Sequence, residues 1–530
     1  MSTINNPILP GFHPDPSIIR VGTDYYLAVS TFEWFPGVQL FHSKDLANWE
    51  LIGHALTRTS QLDMLGVGDS CGVWAPCLTY HEDTFYLVFS NVKNFDGLWK
   101  DTPNYLVTTQ DIRGEWSEPI FLSASGFDGS MFHDEDGKKW FTSMLLDHRD
   151  GKFFGGILLQ EYDVQSEKLV GSEYRIFEGS DIGITEGPHI YKKDGYYHLI
   201  TAEGGTEYGH AVSQARSKAI TGPYEIHPEN PIISSSHQLD WPLQKAGHGD
   251  IVDTPSGDWY AVCLIGRPLP GSKRCTLGRE TALIPMEWRS DGWLYNATGE
   301  KMPPVSLELD ETLKAEGNSQ RVDFQEGGLP LQFQSLRVPQ SEDWVSTRER
   351  SGFLRLKGRE TLSSAHRQSL VARRVQAFHV EATTHLEFQP AHFQHMAGLV
   401  AFYNTYHWHY LYQTVDDAGN EILEILTCDR YRFIEYPEHR VVLPKGTKEI
   451  QLKATIKEKA LQFAYAPNPT EWIAIGPELD ASILSDDYVQ DHDNRYRAAF
   501  TGMFVGMCCQ DLTGHGHPAD FAWFDYQELS

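Results

Sequence analysis

The stretch DPSIIRVGTDYYL at residues 15–27 is the first of five similar segments, and their repetition predicts the fold. The other four are APCLTYHEDTFYL from 75, DGSMFHDEDGKKWF from 128, EGPHIYKKDGYYHL from 186 and GDIVDTPSGDWYAV from 249. Each has a small or acidic first residue, an apolar run, a turn with Asp or Gly, and an aromatic pair opening a second strand. The starts lie 53 to 63 residues apart, and such a period holds about four strands, the content of one propeller blade. We therefore predict a five-bladed β-propeller rather than a generic β-meander.

The opening position of each copy should point into the central funnel, because equivalent positions in successive blades surround the propeller axis. These positions are Asp15, Ala75, Asp128, Glu186 and Gly249. A single Asp before Pro or Gly commonly opens a turn. Three acids in register around one axis are unexpected on that basis, since converging charge is costly in a partly desolvated site. We therefore interpret Asp15, Asp128 and Glu186 as catalytic residues.

Two carboxyl groups on opposite sides of a small substrate can hydrolyse a glycoside, one protonating the leaving oxygen and the other activating water or attacking carbon. Trp74 and His248 each precede the opening residue of their copy and should face the funnel. Phe32 follows the second strand of the first copy, where a loop could place its ring over a sugar. Arg279, in LGRETAL at 277–283, is either a ligand for hydroxyl or carboxylate groups or a structural ion-pair partner.

The second half of the chain has a different pattern. After Pro303-Pro304 comes the polar stretch ELDETLKAEGNSQ, which is typical of a linker. Alternating segments follow, among them FLRLKG, HVEATTHLEF, AGLVAFYN and EILEILTC, and they predict a β-sandwich of concanavalin or jelly-roll type. We predict an all-β chain with a catalytic propeller at 1–305, a linker at 306–325 and a β-sandwich at 326–530. The sandwich is either a catalytically idle module or a contributor to the active-site mouth.

The composition disfavours several classes of partner. Lys and Arg number 44 against 72 Asp and Glu, a formal net charge of −28, which repels nucleic acids and anionic lipids. No apolar stretch approaches the roughly 18 residues of a membrane span, and the first residues lack the basic and apolar regions of a signal peptide. Seven cysteines without a C-x-x-C pair indicate neither a disulfide scaffold nor a zinc site. We expect a cytoplasmic protein that binds neither nucleic acid nor membranes and whose site contains no metal-ligating residues.

Six segments resemble glycoside hydrolase family 43, in particular its two-domain β-xylosidase branch. They are NPILPGFHPDPSI at 6–18, VWAPCLTY at 73–80, FDGSMFHDEDG at 127–137, TEGPHIYKKDGYY at 185–197, GHGDIVDTP at 247–255 and LGRETAL at 277–283. The similarity continues through FTGMFVGMCCQDLTG at 500–514. The resemblance implies a five-bladed propeller followed by a β-sandwich. One departure is Gly129, where the family commonly carries Pro, and Gly is compatible with the tight turn there.

The resemblance also implies roles for the three acids. Asp15 would be the general base and Glu186 the general acid, while Asp128 would raise the pKa of the acid and orient it. The family inverts the anomeric centre, which asks the base and the acid to stand about 6.5–9.5 Å apart with a water between them.

For the sugar, the resemblance implies that Arg279 binds hydroxyls of the non-reducing xylose and that Trp74 and His248 line that subsite. Phe504 would be an aromatic that the second domain adds at the mouth, so that the funnel becomes a pocket acting on chain ends. No cofactor is required, although some relatives hold a divalent ion, often calcium, in the channel near the histidine that matches His248. Relatives are often homotetramers, so we expect a homo-oligomer, either a tetramer or a dimer.

The sequence therefore predicts an inverting exo-acting β-D-xylosidase that trims xylose from short β-1,4-xylooligosaccharides. An α-L-arabinofuranosidase, or one enzyme with both activities, stays open because both sugars offer similar hydroxyl geometry. A sugar-binding propeller without catalysis would gain little from three mutually repelling acids. A retaining enzyme such as a fructosyltransferase would need its two acids about 5–5.5 Å apart, and the WAPCLTY and LGRETAL segments point elsewhere.

Overall fold

The computed structural model describes residues 2–309, 318–324, 328–467, 471–490 and 498–529. Within these ranges the chain is almost entirely β, with one α-helix, α1 (Asp486–Gln490), and short 3-10 turns at Arg149–Gly151, Pro437–His439 and Ala481–Ile483. None of the helices in these ranges is long and apolar enough to cross a membrane.

Five antiparallel sheets follow one another in the first half, after a single strand β1 (Ser2–Asn5). Blade 1 contains β2 (Ser17–Val21), β3 (Asp24–Val29), β5 (Gly37–Ser43) and β6 (Glu50–Leu56), and the short β4 (Trp34–Phe35) precedes its third strand. Blade 2 contains β7 (Gly72–His81), β8 (Thr84–Val92), β9 (Asn104–Thr109) and β10 (Ile120–Ser123). Blade 3 contains β11 (Ser130–His133), β12 (Lys139–Leu146), β13 (Phe154–Asp163) and β14 (Lys168–Phe177).

Blade 4 contains β15 (Glu186–Lys193), β16 (Tyr196–Glu203), β17 (Ala211–Ser217) and β18 (Glu225–Ile226), with β19 (Ile233–Ser234) also paired to β17. Blade 5 contains β20 (Gln244–Asp253), β21 (Trp259–Gly266), β22 (Arg279–Trp288) and β23 (Leu294–Asn296). The five repeated segments form the first hairpin of each blade. In each hairpin the aromatic residue that closes the repeat pairs with a residue of the blade's first strand, namely Ile19↔Tyr26, Thr79↔Tyr86, Phe132↔Trp140, Lys192↔Tyr197 and Val252↔Tyr260. The predicted five-bladed propeller is therefore confirmed.

Side chains tie the last blade to the first. The buried Asp250 carboxylate of blade 5 accepts hydrogen bonds of 2.9 Å from Ser17 Oγ and from the Ile18 amide of blade 1. The hydroxyl of Tyr191 in blade 4 donates to the same carboxylate. Because a buried carboxylate is stable only when it is hydrogen-bonded, Asp250 fixes three blades around the channel that carries the catalytic candidates.

The second half forms two packed antiparallel sheets. Its strands are β24 (Ser306–Leu309), β25 (Gln320–Asp323), β26 (Ser335–Leu336), β27 (Val345–Ser346), β28 (Leu354–Lys357), β29 (Ser369–Arg374), β30 (His379–Glu387), β31 (His395–Asn404), β32 (His407–Val415), β33 (Glu421–Asp429), β34 (Arg432–Glu435), β35 (Val441–Val442), β36 (Glu449–Lys457), β37 (Ala460–Ala466), β38 (Ile473–Asp480), β39 (Phe504–Asp511) and β40 (Pro518–Glu528). One sheet has the order β27-β28-β40-β30-β36-β37-β38 with β25 on β40, and the other has the order β29-β39-β31-β32-β33-β34 with β35 on β33. In β30 every second residue is buried, the pattern of a strand with one face on a core. The predicted β-sandwich is confirmed.

The predicted linker at 306–325 falls partly outside the described residues, which omit 310–317 and 325–327. Its first residues form β24, which pairs with β1, and β25 pairs with β40 of the sandwich. The predicted domain boundaries stay a prediction.

The two domains meet through a buried contact at the funnel mouth. Strand β26 pairs with β4, and the Phe504 ring stacks on the Trp34 ring with centroids 3.7 Å apart. Nearby, the buried Arg337 guanidinium lies 2.6 Å from Asp69. The loop that precedes β39 is thereby held across the open end of the propeller.

Candidate active site

A cavity of about 420 Å³ opens at the propeller axis. All three predicted acids line it, together with Phe32, Trp74, His248 and Arg279. The structure thus brings together seven of the eight predicted site residues, which come from blades 1 to 5 and lie far apart in sequence. Phe504 is not among the residues that line the cavity.

Asp15 is fixed by a neighbouring blade. Its Oδ2 accepts a 2.6 Å hydrogen bond from Ser30 Oγ, and Ser30 Oγ accepts a 2.7 Å bond from the Ala75 amide of blade 2. The backbone of Asp15 is left-handed, with φ of 52°, a conformation that Asp tolerates better than most residues. The carboxylate therefore has one oxygen anchored, and the other lies 3.6 Å from His248 Nδ1.

Asp128 is held close to Glu186 by the backbone of blade 4. Asp128 Oδ2 accepts a 3.2 Å hydrogen bond from the amide of Gly187, the residue after Glu186. Gly187 has φ of 55°, and a Cβ atom there would lie 2.9 Å from His248 Nε2. Only glycine fits this position, because a side chain would meet the imidazole in a strained backbone conformation.

The acids share a site in which full ionisation is unfavourable. Burial and, to a smaller extent, the Asp15 carboxylate raise the pKa of Glu186 against the opposing positive charge of Arg279, and the net value is about 7. Burial also raises the pKa of Asp128 well above its usual range, with added repulsion from Glu186 and Asp15. Like charges in a desolvated space cannot all ionise, so the cluster retains a proton near neutral pH.

His248 is a neutral imidazole at neutral pH. Burial lowers its pKa to about 4, although the nearby Asp15 carboxylate works in the opposite direction. Its Nδ1 lies 3.6 Å from Asp15 and 3.9 Å from Asp128. The ring therefore separates two carboxyl groups without adding a positive charge to the floor of the cavity.

Aromatic rings form the walls. The Trp74 indole donates a 2.9 Å hydrogen bond to the Ser70 carbonyl, which fixes the plane of the ring. Phe32 packs at 5.9 Å from Trp74, and Phe95 and Phe127 pack on its other sides at 4.7 and 5.3 Å. Sugar rings present apolar C–H faces, and such rigid aromatic surfaces bury them at low entropic cost.

The structure corrects the assignment of Phe504. Its side chain is fully buried, and its ring stacks on Trp34 inside the domain interface. It is the first residue of β39 and pairs with β29 and β31, so the sheet directs it away from the cavity. Phe500, in the loop before that strand, lines the cavity instead, with its ring 5.2 Å from Trp74 and 5.8 Å from Phe32.

Several residues that line the cavity or support its side chains lie outside the repeat and were not predicted. Glu207, in the loop GGTEYGH, lines the cavity, and the left-handed Gly204 and Gly205 before it are the local signal of a functional loop. Ser30 orients Asp15 but reads as an ordinary strand residue. Asp486 of α1 in the second domain lies 3.6 Å from Arg279, and no local pattern predicts a contact between residues so far apart.

The possible divalent ion near His248 stays a prediction. Calcium takes six to eight oxygen ligands, and the side chains around His248 offer an imidazole nitrogen and the carboxyl groups of Asp15 and Asp128. In the described part of the chain, metal-binding side chains with ligand atoms within 4.8 Å of one another occur at His385, Glu387 and Glu449 of the sandwich.

Comparison with known proteins assigns the class. Residues 4–294 match the profile of glycosyl hydrolases family 43, and residues 321–527 match that of the β-xylosidase C-terminal concanavalin A-like domain. The chain therefore belongs to glycosyl hydrolase family 43 and is a two-domain glycoside hydrolase.

The similarity to particular members covers nearly the whole chain. The chain is 48% identical to a β-xylosidase of Bacillus subtilis, over 99% of both chains. It is also 48% identical to xylosidase/arabinosidase 43B of Humicola insolens, over 100% of this chain and 98% of that one. A crystal structure of xylan β-1,4-xylosidase from Bacillus halodurans C-125 superposes with a TM-score of 0.95 at 49% identity, covering 99% of this chain and 100% of that one.

Proposed function

We propose that the chain is an inverting, exo-acting β-xylosidase that releases D-xylose from the non-reducing ends of β-1,4-xylooligosaccharides. The observation that carries the proposal is the meeting of Asp15, Asp128 and Glu186 in one small cavity whose mouth the Phe500 loop narrows. A cavity of about 420 Å³ suits a terminal sugar and its neighbour better than a polymer running through. The relatives named for β-xylosidase activity support the same substrate class.

In the proposed reaction Glu186 is the general acid. Its raised pKa, about 7, keeps a proton available for the glycosidic oxygen at the pH where the bond must break. Asp128, hydrogen-bonded to the Gly187 amide, stands beside the acid and orients it. As the proton moves to the leaving oxygen, Glu186 becomes an anion, and the nearby Arg279 charge stabilises it.

Asp15 is the general base. Its Oδ2 is occupied by the Ser30 hydroxyl, so Oδ1 is the atom that accepts a proton from water. The deprotonating water attacks the anomeric carbon from the face opposite to the leaving group, and the configuration inverts. Arg279, His248 and Trp74 bind the terminal xylose during these steps.

A second activity has a specific observation in its favour. The Humicola insolens relative is named xylosidase/arabinosidase, and a Bacteroides ovatus relative, 35% identical, is named as a non-reducing-end α-L-arabinofuranosidase. A Vibrio relative, 47% identical, is named xylan 1,3-β-xylosidase, so the linkage also needs a test. The cavity is compatible with each of these terminal pentoses.

The test is a time course of xylotriose digestion resolved by chromatography, with arabinofuranosyl and β-1,3-linked xylobiose substrates in parallel. The proposal expects xylose and xylobiose as the first products, with kcat/KM on β-1,4-xylobiose above that on the other two. Preferred cleavage of the arabinofuranoside would reassign the main substrate. Internal cleavage without early xylose would contradict exo-action.

We further propose a cytoplasmic location and a homo-oligomeric assembly. All seven cysteines are buried and unpaired, which suits a reducing compartment. At the edge of the second sandwich sheet, Tyr431 and Phe433 are each 56% exposed beside the partly exposed Ile434, an apolar edge that subunit contact would cover. Cell fractionation and light scattering test the two points; a secreted or a monomeric protein would contradict them.

A further inference from the structure

Arg279 belongs to a cluster of charged side chains, most of them buried, to which both domains contribute. Its Nη2 atom lies 3.6 Å from Asp486 Oδ2 and 3.7 Å from Glu207 Oε1. Lys245 Nζ lies 3.2 Å from the same Asp486 oxygen, 3.1 Å from Glu207 Oε2 and 2.7 Å from Asp487 Oδ1. The Asp486 carboxylate thus lies beside both Arg279, which lines the cavity, and Lys245, which does not.

The propeller alone does not balance these charges. Within the cluster it supplies two cations, Lys245 and Arg279, and one carboxylate, Glu207. The side chains of Lys245 and Asp486 are fully buried, and that of Arg279 is 3% exposed. Burying a cation without a partner is costly, so the two carboxylates of α1 in the second domain complete the cluster.

The geometry also fixes where the guanidinium points. One side of Arg279 faces the Phe500 ring, 4.9 Å from its centroid, and Nη2 faces Asp486, Glu207 and, at 3.5 Å, the Thr206 carbonyl. Without Asp486, the neighbouring carboxylates would be Glu207, which Lys245 also binds, and the catalytic acids. The guanidinium would then be free to turn toward those acids and away from the sugar hydroxyls.

We propose that Asp486 is a positioning residue of the active site, which holds the Arg279 guanidinium in place for the terminal sugar from the second domain. This rests on the proposed function, since it gives Arg279 a pentose to bind. The sandwich therefore contributes two residues to the site. Phe500 narrows the mouth, and Asp486 orients Arg279 of the propeller, which binds the sugar. The two residues flank the same guanidinium.

A double-mutant cycle on the full chain tests the proposal, with calorimetric binding of D-xylose and KM for xylobiose as readouts. The variants are Asp486→Asn, Arg279→Met and the two together. If Asp486 acts through Arg279, each single variant weakens xylose binding at least tenfold, and the double variant is no weaker than Arg279→Met within about twofold. Asp486→Glu should recover part of the affinity, because it restores the charge.

The matched control is Asp480→Asn. Asp480 lies on the same interface, 3.5 Å from Arg274, and caps the 3-10 turn through the Ser482 amide, a task that Asn performs equally well. It touches neither Arg279 nor Lys245 in the described ion pairs, so xylose binding should stay within twofold of the native value. If Asp486→Asn fails to fold, Lys245→Met with Asp486→Asn removes the buried pair together and should show the same loss of affinity.

Two results would overturn the proposal: native affinity in Asp486→Asn, or losses that multiply in the double variant, which would mean an effect independent of Arg279. Failure of the proposed function looks different. A native chain that binds D-xylose but does not hydrolyse xylobiose contradicts that function, and the binding cycle still decides the role of Asp486. A native chain that binds no pentose overturns both.

Discussion

Glu186→Gln removes the proton that the proposed mechanism gives to the leaving oxygen, while it keeps the size and polarity of the side chain. Burial, with help from Asp15, raises the pKa of Glu186 to about 7. With that pKa, roughly nine-tenths of the native protein carries the proton at pH 6 and roughly one-tenth at pH 8. The kcat/KM of the native protein for xylobiose should therefore fall about tenfold between these two pH values.

In Glu186→Gln, kcat/KM for xylobiose should fall about 10²–10⁴-fold, the usual contribution of a general acid, or about 3–5 kcal/mol of transition-state stabilisation. A dinitrophenyl xyloside should lose less than about tenfold, because its leaving group departs as a stable anion. In the variant, the fall in kcat/KM above neutral pH should also disappear for the dinitrophenyl xyloside. Initial rates on both substrates between about pH 5 and pH 9 measure all three effects. Equal losses on the two substrates, or an unchanged alkaline limb, would refute the assignment.

The same raised pKa predicts a dependence of stability on pH. The folded state holds the Glu186 proton up to about pH 7, whereas the usual value for the carboxyl is 4.5. The proton on Glu186 therefore makes its full contribution to the free energy of unfolding below about pH 4.5. This contribution is lost as the pH rises from about 4.5 through about 7, a change of up to about 3 kcal/mol. Chemical denaturation at several pH values gives the free energy of unfolding of the native and Glu186→Gln proteins as a function of pH. We expect this free energy to fall less steeply with rising pH in the variant. An identical pH dependence in the two proteins would contradict the raised pKa.

Three further predictions concern other parts of the site. Asp15→Ala should lower turnover of every substrate at least 10³-fold with unchanged circular dichroism, and substantial residual activity would remove its role as base. Phe500→Ala should raise KM for xylobiose several-fold with little change in melting temperature. Phe504→Ala should instead lower the free energy of unfolding by about 3–5 kcal/mol, because it empties a stacked, buried position. The reverse result would contradict the placement of the two rings. Prolonged EDTA treatment followed by gel filtration should leave kcat/KM unchanged, and activity restored only by added calcium would contradict the metal-free mechanism.

The repeat explains how much of the fold could be predicted from the sequence. Each blade begins with a similar hairpin, in which the aromatic residue that ends the repeat pairs with a residue of the blade's first strand. The turn residues and the strand alternation of the repeat were therefore sufficient to predict the propeller. Asp15, Asp128 and Glu186 occupy the same opening position of their copies, which predicted that they surround one axis. Trp74 and His248 followed because they adjoin the same register.

Contacts between domains could not be predicted in the same way. FTGMFVGM contains two Phe residues, and whether Phe500 or Phe504 reaches the cavity depends on where β39 begins, which sequence patterns set only to within a few residues. Asp486 is one of two adjacent acids in a surface-like sequence, and its partner Arg279 lies in the other domain. Such a pair is fixed by packing of the whole chain, not by spacing.

The anomeric configuration of the first product distinguishes an inverting from a retaining mechanism. Proton NMR of xylobiose mixed with the protein, followed from the first minutes, separates α-xylose from β-xylose before mutarotation mixes them. Early α-xylose is the predicted result, since Asp15 as a base directs water to the face opposite the leaving group. Early β-xylose would mean retention through a covalent intermediate, and would contradict the roles given to the three acids.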